Sequence, residues 1–186
     1  MPIKINGSTS GSVTLAAPAT GSDVTLTLPT LGFGKVLQVV STTKTDTFAS
    51  SAGSWVDVTG LSVSITPAST SSQILVIVTM QGSSVNSGSM FARLVRNSTA
   101  IAVGDAAGNR TRASFGMDTN ATVDYAITGA THFLDSPATT SAVTYKMQVN
   151  SGDTGGSARV NYSSSDADSL YNGRYASTIT AIEVGP

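Results

Sequence analysis

The chain has no cysteine. Disulfide bonds, thiolate zinc sites and cysteine nucleophiles are excluded with it. Charge is also scarce: 10 Lys and Arg stand against 11 Asp and Glu, only 11% of the 186 residues, where roughly 25% is usual. The net charge is −1, and the basic residues are scattered. Their one loose concentration is Arg93, Arg96, Arg110 and Arg112. Without a clustered positive field to displace counterions, nucleic-acid binding is not expected. The longest apolar run, Ile74 to Val78, is five residues, against the roughly 20 that span a bilayer. The opening Met1-Pro-Ile-Lys-Ile-Asn-Gly-Ser8 lacks the apolar stretch of a secretory leader. Neither membrane insertion nor leader-directed export is expected.

What fills the gap is Ser and Thr, 54 in all, with β-branched residues spread throughout. Thr and Val suit the pleated, half-buried surface of a sheet. Lys and Glu, which favour helix, are few. The apolar fraction, 40%, is too high for a disordered chain.

The pattern centres on Ser54 to Gly82. Leu61, Val63 and Ile65 alternate with Ser62, Ser64 and Thr66, the period of a half-buried strand. Pro67 to Ser72 is turn material. Ile74 to Val78 is apolar at every position and predicts a strand covered on both faces. That cover is expected either from a second sheet of the same chain or from neighbouring copies about a shared axis.

Further strands are expected over Val36–Val40, Thr45–Ala49, Ser54–Thr59, Leu61–Thr66, Gln73–Gln81 and Met90–Arg96. Others follow over Ala100–Val103, Thr122–Thr128, His132–Asp135, Val143–Val149, Ser157–Tyr162 and Tyr175–Val184. Many short strands with polar turns and no 3.6-residue period predict an all-β sandwich or jelly roll. Long loops are expected over Gly82–Ser89, Gly104–Arg112 and Ser163–Gly173, where binding surfaces tend to sit.

Residues 1–34 read differently. Two short alternating strands, Ser12–Ala16 and Asp23–Leu28, are joined by Pro18-Ala-Thr-Gly21. So few apolar side chains cannot make an independent core. The organisation expected is an attachment arm with linker over residues 1–34 and a head domain over residues 35–186. The arm is expected to dock on the body, on another copy or on a different protein.

Chemistry is poorly marked. His132 is the one histidine, near Asp135 in Thr-His-Phe-Leu-Asp. A lone imidazole can act as a base, but no Gly-x-Ser-x-Gly elbow accompanies it. Eleven acids offer no distinguished glycosidase pair. Asp166 and Asp168 alternate as calcium ligands do, without the Gly and distal Glu of a calcium loop. Asn97, Asn109, Asn120, Asn6 and Asn161 match the glycan-acceptor pattern at the frequency expected of so Ser/Thr-rich a chain. Gly152-Asp-Thr-Gly-Gly156 lacks the Lys-Ser/Thr of a phosphate loop. Tyr162, Tyr171 and Tyr175 could stack on sugar rings or pack an interface. No catalytic residue, cofactor site or metal site is assigned.

Two segments carry a resemblance. Ile5-Asn-Gly-Ser-Thr-Ser-Gly-Ser-Val-Thr-Leu-Ala-Ala-Pro-Ala-Thr-Gly21 with Val24-Thr-Leu-Thr-Leu-Pro29 resembles the N-terminal segment of tailed-phage virion fibre proteins, cyanophage ones especially. The body runs from Gly34-Lys-Val-Leu-Gln-Val-Val40 through Trp55-Val-Asp-Val-Thr-Gly-Leu-Ser-Val-Ser-Ile-Thr-Pro67 to Ile179-Thr-Ala-Ile-Glu-Val184. It is similar to phage head domains and, in strand order, to the jelly roll of the tumour necrosis factor and complement globular-head superfamily. The resemblance implies a homotrimer on a phage particle, assembled in the host cytoplasm: a capsid decoration or knob, or a head or tail fibre. It implies contact with other virion proteins through residues 1–34, and no catalytic residues. A receptor- or carbohydrate-binding fibre tip, meeting host-surface glycan, is the alternative.

Overall fold

A computed structural model of the chain describes residues 3–6, 12–15, 36–51, 53–85, 89–117, 125–152 and 156–185. Two compact units separate, Met1–Phe33 and Gly34–Pro186. In the first, β1 (Ile3–Asn6) pairs antiparallel with β2 (Ser12–Leu15), Ile3 opposite Leu15. The sequence points to Asp23–Leu28 as the partner of β2, and the partner is Ile3–Asn6 instead. Four residues of alternation in Ile-Lys-Ile-Asn are too few to stand out. Asp23–Leu28 lies outside the described residues.

The second unit holds β3 (Val36–Lys44), β4 (Phe48–Ser50), β5 (Val56–Ile65), β6 (Gln73–Val85), β7 (Met90–Arg96) and β8 (Thr99–Ile101). It continues with β9 (Phe115–Met117), β10 (Ile127–Asp135), β11 (Val143–Asn150), β12 (Ser157–Val160) and β13 (Ser177–Val184). No helix occurs among the described residues.

Three pairs of these are single strands with a break. β12 and β13 lie end to end along one side of β6, Val160 opposite Gly82 and Thr178 opposite Thr79. β3 and β4 lie end to end along β13 and β12. β8 and β9 do the same along β7. Joined so, eight strands make two antiparallel sheets of four: β3/β4–β12/β13–β6–β10 and β5–β11–β7–β8/β9. Two such sheets, face to face, are a jelly roll, the all-β fold expected from the sequence.

The core lies between the sheets and is made by alternation. Ile74, Val76, Val78 and Met80 of β6 point inward, as do Val143, Tyr145, Met147 and Val149 of β11, all at most 1% exposed. Each such aliphatic side chain contributes about 1.5–3 kcal/mol by leaving water. Ser54–Thr59 and Leu61–Thr66, two strands in the sequence, are one strand here. β5 bends at Gly60, whose φ of +82° favours glycine. Five steps along β5, Asp57 to Ser62, oppose two along β11, Gln148 to Lys146, and across this bulge Val58 and Leu61, three residues apart, both reach the core.

The loop expected at Gly82–Ser89 begins later. β6 continues to Val85 because β12 pairs with Gly82–Val85, and Gly82 lies under Met117 and Met90, where a Cβ would sit 2.6 Å from Met117 Cε. Gly129 on β10 is likewise covered by the Phe115 ring. Met117 and Phe115 both come from β9, three residues with no readable alternation.

Glu183 is buried on the inner face of β13. It accepts from Gln38 Nε2 and from the Ala68 N–H, each at 2.6 Å, tying β3 and the β5–β6 turn to the sheet. Burial alone would push its carboxyl up; these hydrogen bonds outweigh burial and hold it below the ordinary glutamate value. A carboxylate depressed in the folded state adds stability above its unfolded pKa and loses it as pH falls through the folded one. The urea midpoint should therefore drop between about pH 6 and about pH 3, and E183Q should flatten part of that slope. An unchanged slope in E183Q would contradict the assignment.

Candidate interaction surface

The outer faces of the two sheets differ in kind. On the β5–β11–β7 sheet, charges and amides interlock across the strands. Lys146 Nζ donates to Asp57 Oδ2 at 2.6 Å and Gln148 Nε2 to Asp57 Oδ1 at 2.7 Å. Arg93 Nε donates to Gln148 Oε1 at 2.9 Å, and its guanidinium lies 4.2 Å from the Trp55 ring centre. Burial alone would push the Asp57 carboxyl up, but Lys146 and Gln148 outweigh it and hold it below its usual range. This is a face built to meet water.

The outer face of β3–β13–β6–β10 carries no formal charge. Register fixes its rows: Val39–Ile182–Leu75–Leu134, then Ser41–Thr180–Ile77–His132, then Thr43–Thr178–Thr79–Ala130. Gln73, Gln81, Thr128, Leu37 and Val184 extend it, and Val36 lies at the same end. None of these is Lys, Arg, Asp or Glu. Its polar side chains answer one another: Ser41 Oγ and Thr180 Oγ1 share a hydrogen bond at 2.8 Å, and Thr128 Oγ1 donates to Gln81 Oε1 at 2.8 Å. Its large apolar side chains are open, Val36 and Val39 at 56%, Leu37 at 48%, Leu134 at 47% and Ile77 at 41%.

Of the two sources of cover expected for Ile74–Val78, the second sheet of the chain supplies one face only. Ile74, Val76 and Val78 are buried, while Ile77 on the other face stands open and Leu75 is half-buried. The second sheet covers only one side of β6. An open apolar cluster in a four-stranded field without charge has the composition of an interface centre rather than of ordinary surface.

His132 is on this face, but Asp135 is not its partner. Three residues along a strand is an odd step, so Asp135 points into the sandwich. There Arg96 Nη1 donates to both its carboxylate oxygens, at 2.9 and 3.0 Å, and Tyr145 O–H donates to Oδ2 at 2.6 Å. Burial, with this acceptor beside it, pushes the Tyr145 hydroxyl well above its ordinary value. The carboxylate is engaged in holding β10, β7 and β11 together.

A second feature interrupts the same sheet. Between β12 and β13 the chain leaves at Asn161 and returns at Ser177. Asn161 N–H donates to Gln81 O at 3.0 Å, and Gln81 N–H donates to Ser177 Oγ at 3.0 Å, so both ends meet at one residue of β6. Asn161 is fully buried, with φ of 68°. Its Nδ2 donates to Lys44 O at 2.8 Å and Asp46 O at 3.1 Å, and its Oδ1 accepts from Ser177 Oγ at 2.5 Å. It thus pins the break between β3 and β4 to the break between β12 and β13. Its place in a glycan-acceptor pattern means nothing for a side chain so enclosed.

The excursion carries the acids and tyrosines singled out in the sequence. Asp166 is paired with Arg174 at 2.5 Å, and both line a shallow cavity of about 300 Å³ with Asp168, Ser169 and Asn172. No group of three or more metal-ligating side chains is found among the described residues. The tyrosines have separate surroundings. Tyr162 is 8% exposed with Arg159 and Arg174 over its ring, Tyr175 packs against Gly173, and Tyr171 is 80% exposed beside a fully exposed Leu170.

Against known proteins, no family model and no curated sequence matches this chain. The face and the Asn161 pin were not singled out by sequence reasoning. The face had a signal: alternate residues in β3 and β13, apolar or hydroxyl, without a single charge.

Proposed function

We propose that this chain is a non-enzymatic structural protein that assembles as a homotrimer through the uncharged outer face of β3–β13–β6–β10. In this reading it is a component of a tailed-phage virion, a capsid decoration or knob or a head or tail fibre, attached to other virion proteins through residues 1–34. The observation that carries it is the contrast between the two sheets. One presents a linked network of charges, and the other presents open Val36, Leu37, Val39, Ile77 and Leu134 with no charge among them. Depletion of charge is what separates the centre of an interface from ordinary surface. The phage setting rests on the resemblance of residues 5–29 and of the body to virion proteins.

Sedimentation equilibrium of the purified chain tests it: a mass three times 18.8 kDa is expected, and a single-chain mass at micromolar concentration would end the proposal. Copy number per particle then separates a capsid place from a tail place. A second reading, a receptor- or carbohydrate-binding tip, is favoured by exposed Leu170 and Tyr171 on the excursion. Glycan-array binding lost in Y171A would support it.

A further inference from the structure

The network on the outer face of β5–β11–β7 ends in an unanswered group. It runs Lys146–Asp57–Gln148–Arg93 across three strands, Gln148 standing opposite both Asp57 and Arg93. Both oxygens of Asp57 are taken, one by Lys146 and one by Gln148, so one positive charge is left over at Arg93. Arg93 Nε is held by Gln148 Oε1, and its Cζ lies 4.2 Å from the Trp55 ring centre. Nη1 and Nη2 have no acceptor among the described residues. The other arginines of the head domain differ. Arg96 is paired with Asp135 and Arg174 with Asp166, while Arg110, Arg112 and Arg159 donate to backbone carbonyls. The loop between β8 and β9 adds to the same field. It rejoins β7 on either side of Arg93, Ser114 N–H donating to Ala92 O and Leu94 N–H to Ser114 Oγ, and it carries Arg110 and Arg112 against one acid, Asp105.

We propose that Arg93 anchors a binding site for the carboxylate of an acidic saccharide, a uronate chain, on the outer face of β5–β11–β7. A guanidinium stacked on an indole and held through Nε is ordered on folding, not on binding, and offers its two Nη groups as a planar fork. Two coplanar carboxylate oxygens match that fork. One surplus positive charge also matches a singly charged carboxylate better than a doubly charged phosphate. The surroundings fit a sugar. Phe91, two residues along β7 on the same face and about 7 Å away, is a half-buried ring with Asn150 opposite it. Ser62 lies opposite Lys146, and Ser64 and Thr144 share a hydrogen bond at 2.8 Å in the next row. None of the exposed large apolar side chains is on these three strands, so an apolar peptide or a lipid tail finds no seat here. The site does not depend on how the opposite sheet is covered.

Trp55 is the one tryptophan of the chain and lies against Arg93, so its fluorescence reads this site alone. The test titrates the full chain, at fixed ionic strength, with tetragalacturonate, its methyl ester and inorganic phosphate. Calorimetry repeats the uronate titration on R93K and R93Q, with circular dichroism reporting the fold. A saturating change below about 10 mM is expected for the uronate, and binding of the ester and of phosphate should be weaker by roughly tenfold or more. R93K keeps the charge and loses the fork, so it should also bind the uronate roughly tenfold more weakly, and R93Q more weakly still. Absence of saturation by the uronate overturns the site. So does R93K binding as tightly as wild type, which would reduce the effect to unspecific charge. Equal binding of the ester overturns the role of the carboxylate, and equal binding of phosphate overturns its selection.

Discussion

Placing an arginine at Ile77 is expected to leave a well-folded single chain. Ile77 is 41% exposed and points away from the core, so I77R has room on its own subunit. The fold should survive, with thermal stability within about 0.5 kcal/mol of wild type. In the assembly the same guanidinium would be buried with no carboxylate in reach, because every neighbour across β13, β3 and β10 is apolar, hydroxyl, amide or imidazole. An unpaired buried charge costs about 3–5 kcal/mol, which weakens association by two orders of magnitude or more. S62R on the outer face of β5 serves as control and should stay trimeric. Sedimentation and circular dichroism on both variants decide the matter. A trimeric I77R would remove the uncharged face from consideration.

The second large effect is expected at Asn161. N161A removes an amide that donates to Lys44 O and Asp46 O and accepts from Ser177 Oγ, with the Lys44 and Ser177 bonds buried and the Asp46 bond part-buried. Two backbone carbonyls and one hydroxyl lose their partner, at about 1–3 kcal/mol for each buried group left unsatisfied. Alanine is also less at ease than asparagine at a φ of 68°. The loss should be about 4 kcal/mol in all, read as a lowered urea midpoint. N161D keeps the acceptor but replaces the donor beside two carbonyls with charge, and should be at least as harmful. A loss below about 1 kcal/mol in N161A would show that the two strand breaks are held by something else.

The architecture was legible because most strands are long enough to alternate. β11 reads Val-Thr-Tyr-Lys-Met-Gln-Val-Asn, and the period of two assigns its buried face at sight. The second half of β5 reads equally well, with Leu61, Val63 and Ile65 buried. Where reading failed, the controlling contact was distant. β9 is three residues long and is a strand only because β7 pairs with it. The end of β6 looks like a loop, Gln-Gly-Ser-Ser-Val, and is buried because Met117 and Met90 close over Gly82. Gly60 looks like a turn between two strands and is a bulge within one.

The surface was half legible. The apolar run Ile74–Val78 signalled a strand in need of more cover than a single layer gives. Which side would stay open depends on register with β13 and β10, and no local pattern encodes that. His132 and Asp135 are near one another in sequence, yet the pleat sends them to opposite sides of the sheet. Asn161 gave no signal: one asparagine among many Ser/Thr-flanked ones becomes a pin only when four segments converge on it.

The excursion between β12 and β13 departs and rejoins beside Gln81. A segment whose two ends share one anchor can lengthen, shorten or be exchanged without displacing the strands beneath it, since closing a longer loop adds little entropic cost. Variation between related chains should therefore gather there while the rows of β6 stay constant. A foreign epitope grafted between Ser164 and Arg174 would be carried outward once per subunit, on a scaffold indifferent to its content.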